Sequence, residues 1–88
     1  MLKEHLRSDL PRLAALVCAR DRDGLRDWAH SAGGAFLIVR EPRFAAQCRE
    51  LQRLCDASGT WSAALAQRAQ ALHDALRSRF GLDESTLH

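Results

Sequence analysis

The residues best suited to chemistry in this sequence lie around His30, in a segment that also contains the adjacent glycines Gly33 and Gly34. An imidazole keeps a nucleophilic lone pair near neutral pH, so an exposed histidine can accept a group without a separate base. Each glycine inside a helix costs about 1 kcal/mol relative to alanine, so the pair needs a compensating reason. A surface without side chains, which a partner can approach closely, is one such reason.

The helical repeat predicts where these residues lie around the helix that carries them. The predicted inward stripe of this helix consists of Leu25, Trp28, Ala29, Ala32, Phe36 and Val39. With about 100° per residue and Leu25 at zero, this apolar stripe lies near zero, His30 at about 140° and Gly34 at about 180°. Gly33, at about 80°, lies on the flank toward a neighbouring helix. We therefore expect His30 to face solvent beside a bare surface. The plainer alternative is that both glycines serve close helix packing and that the histidine has no role.

Apolar and basic residues flank the predicted site. Leu37 at about 120° and Ile38 at about 220° are placed on the outer face of the same helix, and exposed apolar patches mark docking surfaces. Alternatively, both side chains contact other helices of a widely wrapped bundle. Arg26, one turn before His30, and Arg40, near the helix end, are candidates to hold an anion at the ring, since arginine binds phosphate well.

The three cysteines, Cys18, Cys48 and Cys55, indicate free thiols. Their number is odd and they show no CxxC spacing, which argues against a disulfide framework. Cys48 and Cys55 lie about 10 Å apart along a helix, too far for a disulfide between them. The four histidines show no paired ligand spacing with the cysteines. We therefore expect reduced, buried, unliganded thiols and no metal held by the chain.

The elements that must position His30 are helices, because apolar residues recur at steps of three and four and no segment alternates like a strand. Asp23 and Thr60 are the expected N-caps of the second and fourth helices, and Gly81 is the expected stop of the fourth. Pro11 predicts either a first helix that starts near residue 9 or a longer, kinked one. The predicted helices span residues 2–20, 23–40, 42–57 and 61–80, with a tail over 82–88.

Short connections between these helices make sequence neighbours antiparallel. The predicted fold is therefore all-α, an antiparallel up-down-up-down four-helix bundle formed by residues 1–88 as a single domain. The residues on the inward stripes are the predicted core: Leu13, Val17, Trp28, Phe36, Phe44, Cys48, Leu51, Leu65, Leu72 and Leu76.

Composition limits the classes of function. A chain of 88 residues, 47% apolar and 27% charged, forms one small core with little room for an enclosed active site. The net charge is only +2 and the basic residues are scattered, which argues against nucleic acid as a partner. The sequence has no apolar stretch long enough to cross a bilayer and no signal-peptide core at its N-terminus, so we expect a cytoplasmic protein without membrane contact.

The stretch 25–35 reads LRDWAHSAGGA. Through this stretch, the segment from Asp9 to Cys55 resembles the histidine phosphotransfer (HPt) domain of bacterial phosphorelays, especially the C-terminal HPt domain of hybrid (unorthodox) sensor histidine kinases. The family's usual pattern is His, any residue, Leu, Lys, Gly and soon a small residue. His30 and Gly34 match it, whereas Ala32 stands in place of the Leu and Gly33 in place of the Lys. Residues 45–51 are similar to the family's run of small residues, a charged pair and Leu.

The resemblance implies a phosphorelay intermediate in two-component signalling. His30 would accept a phosphoryl group from the aspartate of a receiver domain and pass it to a second receiver. The implied partners are response-regulator receiver domains and a hybrid histidine kinase, in the same chain or another. The receiver supplies Mg²⁺, so the domain itself needs no cofactor and is not an autonomous enzyme.

Two other interpretations stay open at this stage. The departures at Ala32 and Gly33 favour a degenerate HPt-like module that binds a receiver or kinase without carrying phosphate. A small regulatory bundle unrelated to phosphorelays is the third interpretation.

Overall fold

Four α-helices make up the described part of the chain. The computed structural model describes residues 2–57 and 59–81; the side chains of residues 2–6 and the predicted tail 82–88 lie outside that description. No strand occurs among the described residues, and the predicted all-α class is confirmed. The helices are α1, Leu2–Ala19; α2, Arg22–Ile38; α3, Pro42–Ala57; and α4, Ala63–Arg79.

The N-terminus of α2 is capped by Asp21, so the predicted cap Asp23 is wrong. Asp21 has extended backbone angles, and its side chain accepts a hydrogen bond from the Gly24 amide at 2.9 Å. Asp23 instead lies in the first turn, where a carboxylate also interacts favourably with the helix dipole. Because both positions suit an aspartate, residue type alone does not distinguish them.

The N-terminus of α4 begins two residues later than predicted. The N-cap is Ser62, which has extended backbone angles and whose hydroxyl accepts a hydrogen bond from the Leu65 amide at 3.3 Å. The predicted cap Thr60 is therefore wrong.

The first helix, α1, runs from Leu2 and includes Pro11, so the helix does not start near residue 9.

The ends of α1 and α2 share one geometry. Arg20 and Arg40 adopt left-handed backbone angles, with φ of 55° and 61°. After Arg20, the Asp21 amide donates back to the Leu16 carbonyl at 3.0 Å, and after Arg40, the Glu41 amide donates to the Phe36 carbonyl at 2.8 Å. These bonds satisfy helix carbonyls that would otherwise lack partners. Each helix is thereby reversed within a connection of a few residues.

The helix α4 ends at Arg79, and the expected stop, Gly81, follows shortly after it. Phe80 caps the helix, its amide donating to the Leu76 carbonyl at 3.0 Å, and Gly81 follows with a φ of +64°. Glycine adopts this left-handed conformation without the steric penalty of a side chain, which is why Gly81 ends the helix.

The helices pack in a ring around one core: α1 contacts α2 and α4, and α3 contacts α2 and α4. The α2–α3 pair is the most extensive. Arg22, at the start of α2, donates from Nη1 to the Cys55 carbonyl at 2.7 Å, whereas Phe36, near its end, stacks on Phe44 with ring centroids 5.4 Å apart. The start of α2 thus contacts the end of α3, and the end of α2 contacts the start of α3.

The predicted core is confirmed with one exception. Val17 is only partly buried and packs against the edge of the core, whereas the other nine predicted residues are buried. The expectation of buried thiols is wrong for Cys18, which is exposed, and holds for Cys48 and Cys55. The buried core consists of Leu10, Leu13, Leu25, Trp28, Ala29, Ala32, Phe36, Phe44, Ala45, Cys48, Leu51, Cys55, Leu65, Ala69, Leu72 and Leu76.

Candidate functional site

His30 lies on the outer face of α2 with its side chain exposed. The orientation of α2 about its own axis is fixed by its opposite face, where Trp28 and Phe36 are buried. Trp28 also donates from Nε1 to the Asp9 carbonyl of α1 at 3.2 Å. Because His30 follows Trp28 by about 200° around the helix, anchoring the indole in the core turns the imidazole toward solvent. This agrees with the orientation that the apolar stripe predicts.

The two glycines after His30 have different surroundings. A Cβ added at Gly34 would meet no atom within 4 Å, so the surface one turn from the ring is open. A Cβ at Gly33 would lie 3.3 Å from the Cβ of Cys48 and 3.9 Å from the Ala45 carbonyl, both on α3. Gly34 thus leaves bare surface beside the imidazole. Gly33 lies where the backbone of α2 comes close to α3, not on that open surface.

Three exposed apolar side chains follow at the C-terminal end of α2. Leu37 is 54% exposed, Ile38 83% and Val39 40%, and together we call them the apolar patch. Leu37 and Ile38 are neither in the core nor among the side chains packed against it, which argues against the alternative left open by the sequence. Val39 was expected on the inward stripe and is not there. The reason is that α2 ends at Ile38 and Val39 is its C-cap, so the helical angle no longer applies.

Arg26, one turn before His30, already has a partner. Its Nε donates to Oδ1 of Asp56 on α3, and its Nη1 lies 3.9 Å from Oδ1 of Asp27. The hydrogen bond and charge of Asp56 raise the pKa of Arg26 further above its usual range. The positive charge nearest along the helix to His30 is thus partly neutralised by a carboxylate of another helix.

Arg40 is not brought to the imidazole. It lies ten residues after His30, which corresponds to about 15 Å of helix rise, and follows the cap of α2 in a left-handed conformation. Arg40 is exposed beside the apolar patch. It is therefore placed to meet a partner at that end of the surface and not an anion held on His30.

The other side of the site is a shallow groove between α1 and α2. The groove has a volume of about 240 Å³, and its polar lining includes Asp9, Arg12, Asp27 and Ser31. Its charges are mixed in sign and it encloses no buried polar side chain of the described residues. Within residues 2–57 and 59–81 no cluster of three or more His, Cys, Asp or Glu side chains is placed to hold a metal ion. The site is therefore an open surface around one imidazole.

His73, on α4, has different surroundings from His30. Its side chain is 16% exposed, and its Nδ1 lies 3.4 Å from Oδ1 of the neighbouring Asp74. The side chains of His5 and His88 lie outside the described residues. Of the two described histidines, His30 alone combines exposure with an open flank and exposed apolar neighbours.

The buried thiols show no sign of being a second reactive centre. Burial raises the pKa of Cys48 to about 12, and burial is also the main cause that raises the pKa of Cys55. The thiolate is the reactive form of cysteine, so these two side chains act as small apolar groups of the α3 core. Neither buried thiol is therefore a candidate nucleophile.

None of the helices in the described ranges is long and apolar enough to span a bilayer. No protein-family model matches the chain, and no curated protein or solved structure shows significant similarity to it. A function can therefore be inferred only from the chemistry and placement of the residues of this chain.

Proposed function

We propose that this chain is a histidine phosphotransfer domain, which accepts a phosphoryl group on His30 from the aspartate of a receiver domain and passes it to another receiver. The observation that carries the proposal is the outer face of α2. It places an exposed imidazole, the open surface at Gly34 and the apolar patch on one side of one helix. A receiver has to reach the ring closely and bury surface around it, and this face permits both.

The antiparallel up-down-up-down order of the four helices is part of the proposal. The ring of helix contacts and the opposite running of the contacts between α2 and α3 support it. In such a bundle, α2 is a rigid element held on both sides by its neighbours. A nucleophile on its outer face then keeps a fixed position for in-line transfer, which depends mainly on alignment.

The chemical step needs little from this chain. A lone pair of the His30 imidazole forms a bond to the phosphorus of the aspartyl phosphate, while the bond between phosphorus and the carboxylate oxygen breaks and that carboxylate leaves with its electron pair. In the second transfer, a carboxylate of another receiver attacks the phosphorus and the imidazole leaves. Each transfer forms one bond to phosphorus and breaks one, and no oxidation state changes, so the proposed step requires no cofactor or reductant of this domain.

The receiver supplies the Mg²⁺ that neutralises the phosphoryl oxygens. This chain supplies the nucleophile, the apolar patch and the basic side chains Arg26 and Arg40. It is a phosphotransfer protein and not an autonomous enzyme. Its proposed partners are receiver domains and a hybrid histidine kinase, and its proposed compartment is the cytoplasm, where these partners act.

A second candidate function is docking to a receiver or kinase without carrying phosphate. The packing of Gly33 against Cys48 and Ala45 favours it, because the family's lysine at this position is replaced by a glycine in the α2–α3 contact. The pairing of Arg26 with Asp56 favours it as well, since both features reduce the positive charge available at His30.

Incubation with a phosphorylated receiver distinguishes the two functions. We expect label on the wild-type chain that is stable in base and labile in acid, as a phosphorus–nitrogen bond should be. His30→Gln should abolish the label with little change in melting temperature, because the exposed ring makes no core contact. The matched control, His73→Gln, should leave the label in place.

Two outcomes would contradict this prediction. Label that survives His30→Gln would move the acceptor to another residue. Absence of label on the wild type, together with retained receiver binding, would favour the docking function.

A further inference from the structure

The ion pair between Arg26 and Asp56 joins α2 to α3 one turn from His30. Residues four apart on a helix have Cβ atoms about 5 to 6 Å apart, so Arg26 and His30 are neighbours on the same face. Arg26 is 41% exposed and Asp56 50% exposed. The guanidinium is thus held by α3 at a place from which it can turn toward the imidazole.

Arg26 can exchange Asp56 for another negatively charged partner. Ion pairs in contact with water are weak, because solvent screens the charges and the side chains lose freedom in holding one geometry. A phosphoryl group carries close to two negative charges near neutral pH and presents several oxygens, which arginine binds with two parallel hydrogen bonds. A phosphoryl group on His30 would therefore compete well with one aspartate for Arg26.

We propose that Asp56 is a positioning residue of the phosphotransfer site: it holds Arg26 against α3 while His30 is free, and yields it to the phosphoryl group once His30 is phosphorylated. This inference rests on His30 being the phosphoacceptor proposed above. Its consequence is that the Arg26–Asp56 pair breaks as the phosphoryl group arrives on His30, so Asp56 slows acceptance while Arg26 stabilises the product.

Phosphoramidate is the probe, because it phosphorylates imidazoles without any receiver. The histidine nitrogen forms a bond to phosphorus, the phosphorus–nitrogen bond of the donor breaks, and ammonia leaves. The ¹⁵N and ¹H resonances of the Arg26 Nε–H group then report its partner. We expect this resonance to shift when the wild type is phosphorylated, and to take different positions in unphosphorylated wild type and Asp56→Asn.

Rates of phosphorylation by phosphoramidate test the direction of the effect. We expect Asp56→Asn to accelerate phosphorylation of His30 about threefold, in the range of one exposed ion pair, and Asp56→Glu to restore the wild-type rate. Asp74→Asn is the matched control, since it removes one carboxylate of similar exposure, 54%, from α4; it should leave the rate unchanged.

A double variant separates positioning from simple repulsion. If Asp56 acts by holding Arg26, Asp56→Asn should have no effect in an Arg26→Gln background, because the two residues act as one unit. If the same acceleration persists without Arg26, Asp56 merely repels the donor and the inference is wrong. An Arg26 resonance that does not move on phosphorylation of His30 would overturn it as well.

These outcomes are distinguishable from failure of the relay. When phosphoramidate labels His30 and the Arg26 resonance shifts, but no receiver transfers to the chain, the inference stands and the proposed relay is wrong. When receivers label His30 while Asp56→Asn changes neither rate nor resonance, the relay stands and the inference is wrong. Transfer from a phosphorylated receiver to a histidine other than His30 would overturn both.

Discussion

The helices α2 and α4 each carry one histidine, and the two imidazoles have different surroundings. On α4, His73 is largely covered and lies beside Asp74, which also accepts a hydrogen bond from Gln70 at 3.0 Å. On α2, His30 is exposed, Gly34 leaves the next turn open, and the apolar patch faces solvent. The difference teaches that a histidine on a helix indicates chemistry only when its neighbours leave room for a partner.

The two faces also differ in what they contribute to stability. The three leucine side chains of α4, at positions 65, 72 and 76, are buried, whereas the side chains of the apolar patch are exposed. Burying a leucine side chain contributes roughly 1.5 to 3 kcal/mol, and Leu37, Ile38 and Val39 gain only part of this in the isolated chain. The apolar patch near His30 therefore contributes little to the stability of the fold, and its side chains are available for contact with a partner.

Truncation of leucines should give the largest contrast between these regions. Leu72 of α4 is 2% exposed, and Leu72→Ala should lower the free energy of unfolding by about 2 to 5 kcal/mol through lost burial and a cavity. Leu37→Ala, on the apolar patch, is the matched control and should lower it by less than about 0.5 kcal/mol. Urea unfolding followed by circular dichroism measures both. Equal losses would show that the patch is covered in solution.

The thiols extend the contrast between covered and exposed groups to α1 and α3. Because the thiolate reacts and burial raises the pKa of Cys48 to about 12, we expect a thiol reagent at pH 8 to modify exposed Cys18 about a hundredfold faster than Cys48. Labelling of Cys48 should accelerate as the pH rises toward that pKa. Mass spectrometry of timed samples assigns the sites. Equal rates at pH 8 would contradict the described burial.

A side chain placed beside His30 should affect phosphotransfer but not the fold. Gly34→Leu puts a bulky group into the open space one turn from the imidazole, so we expect the rate of labelling by a phosphorylated receiver to fall about tenfold or more, with the chain still folded. A tenfold change corresponds to about 1.4 kcal/mol in the barrier. Ala71→Leu, at an exposed position of α4, is the control and should leave the rate unchanged. A Gly34→Leu variant that transfers normally would place the docking surface elsewhere.

The two glycines should respond differently to substitution by alanine. Gly34→Ala should raise the free energy of unfolding by about 0.5 to 1 kcal/mol, because alanine favours the helix and its Cβ meets nothing. Gly33→Ala should gain less or lose stability, since its Cβ would lie 3.3 Å from that of Cys48. Thermal unfolding of the two variants measures the difference. Equal stabilisation by both would mean that α3 yields without cost.

The orientation of the site was predictable because it depends on one regular helix. A constant angle per residue gives the exposure of His30 and the open surface at Gly34 once the buried stripe is recognised. The same logic fails where the helix ends, and this explains why Val39 was placed inward. Cys18 was assigned to the interior on the chemistry of cysteine alone, without an angle, and that assignment is wrong.

The partner of Arg26 was not predictable from the sequence. Asp56 is thirty residues away, and which residue of α3 stands opposite Arg26 depends on the register and crossing of two helices. Periodicity gives the face that a residue occupies but not the residue it meets across an interface. For the same reason, the angle of Gly33 indicated a neighbouring helix without indicating Cys48 as the contact.

The ring of helix contacts has a consequence for how the chain folds. Three of the four helix pairs, α1–α2, α2–α3 and α3–α4, join elements adjacent in sequence, and only α1–α4 brings distant segments together. The mean sequence separation of contacting residues is therefore small. Helical bundles of such low contact order fold in microseconds to milliseconds, and α1 with α4 closes the longest loop. Rapid folding shortens the time during which the apolar surfaces of α2 and α3 are exposed to other chains.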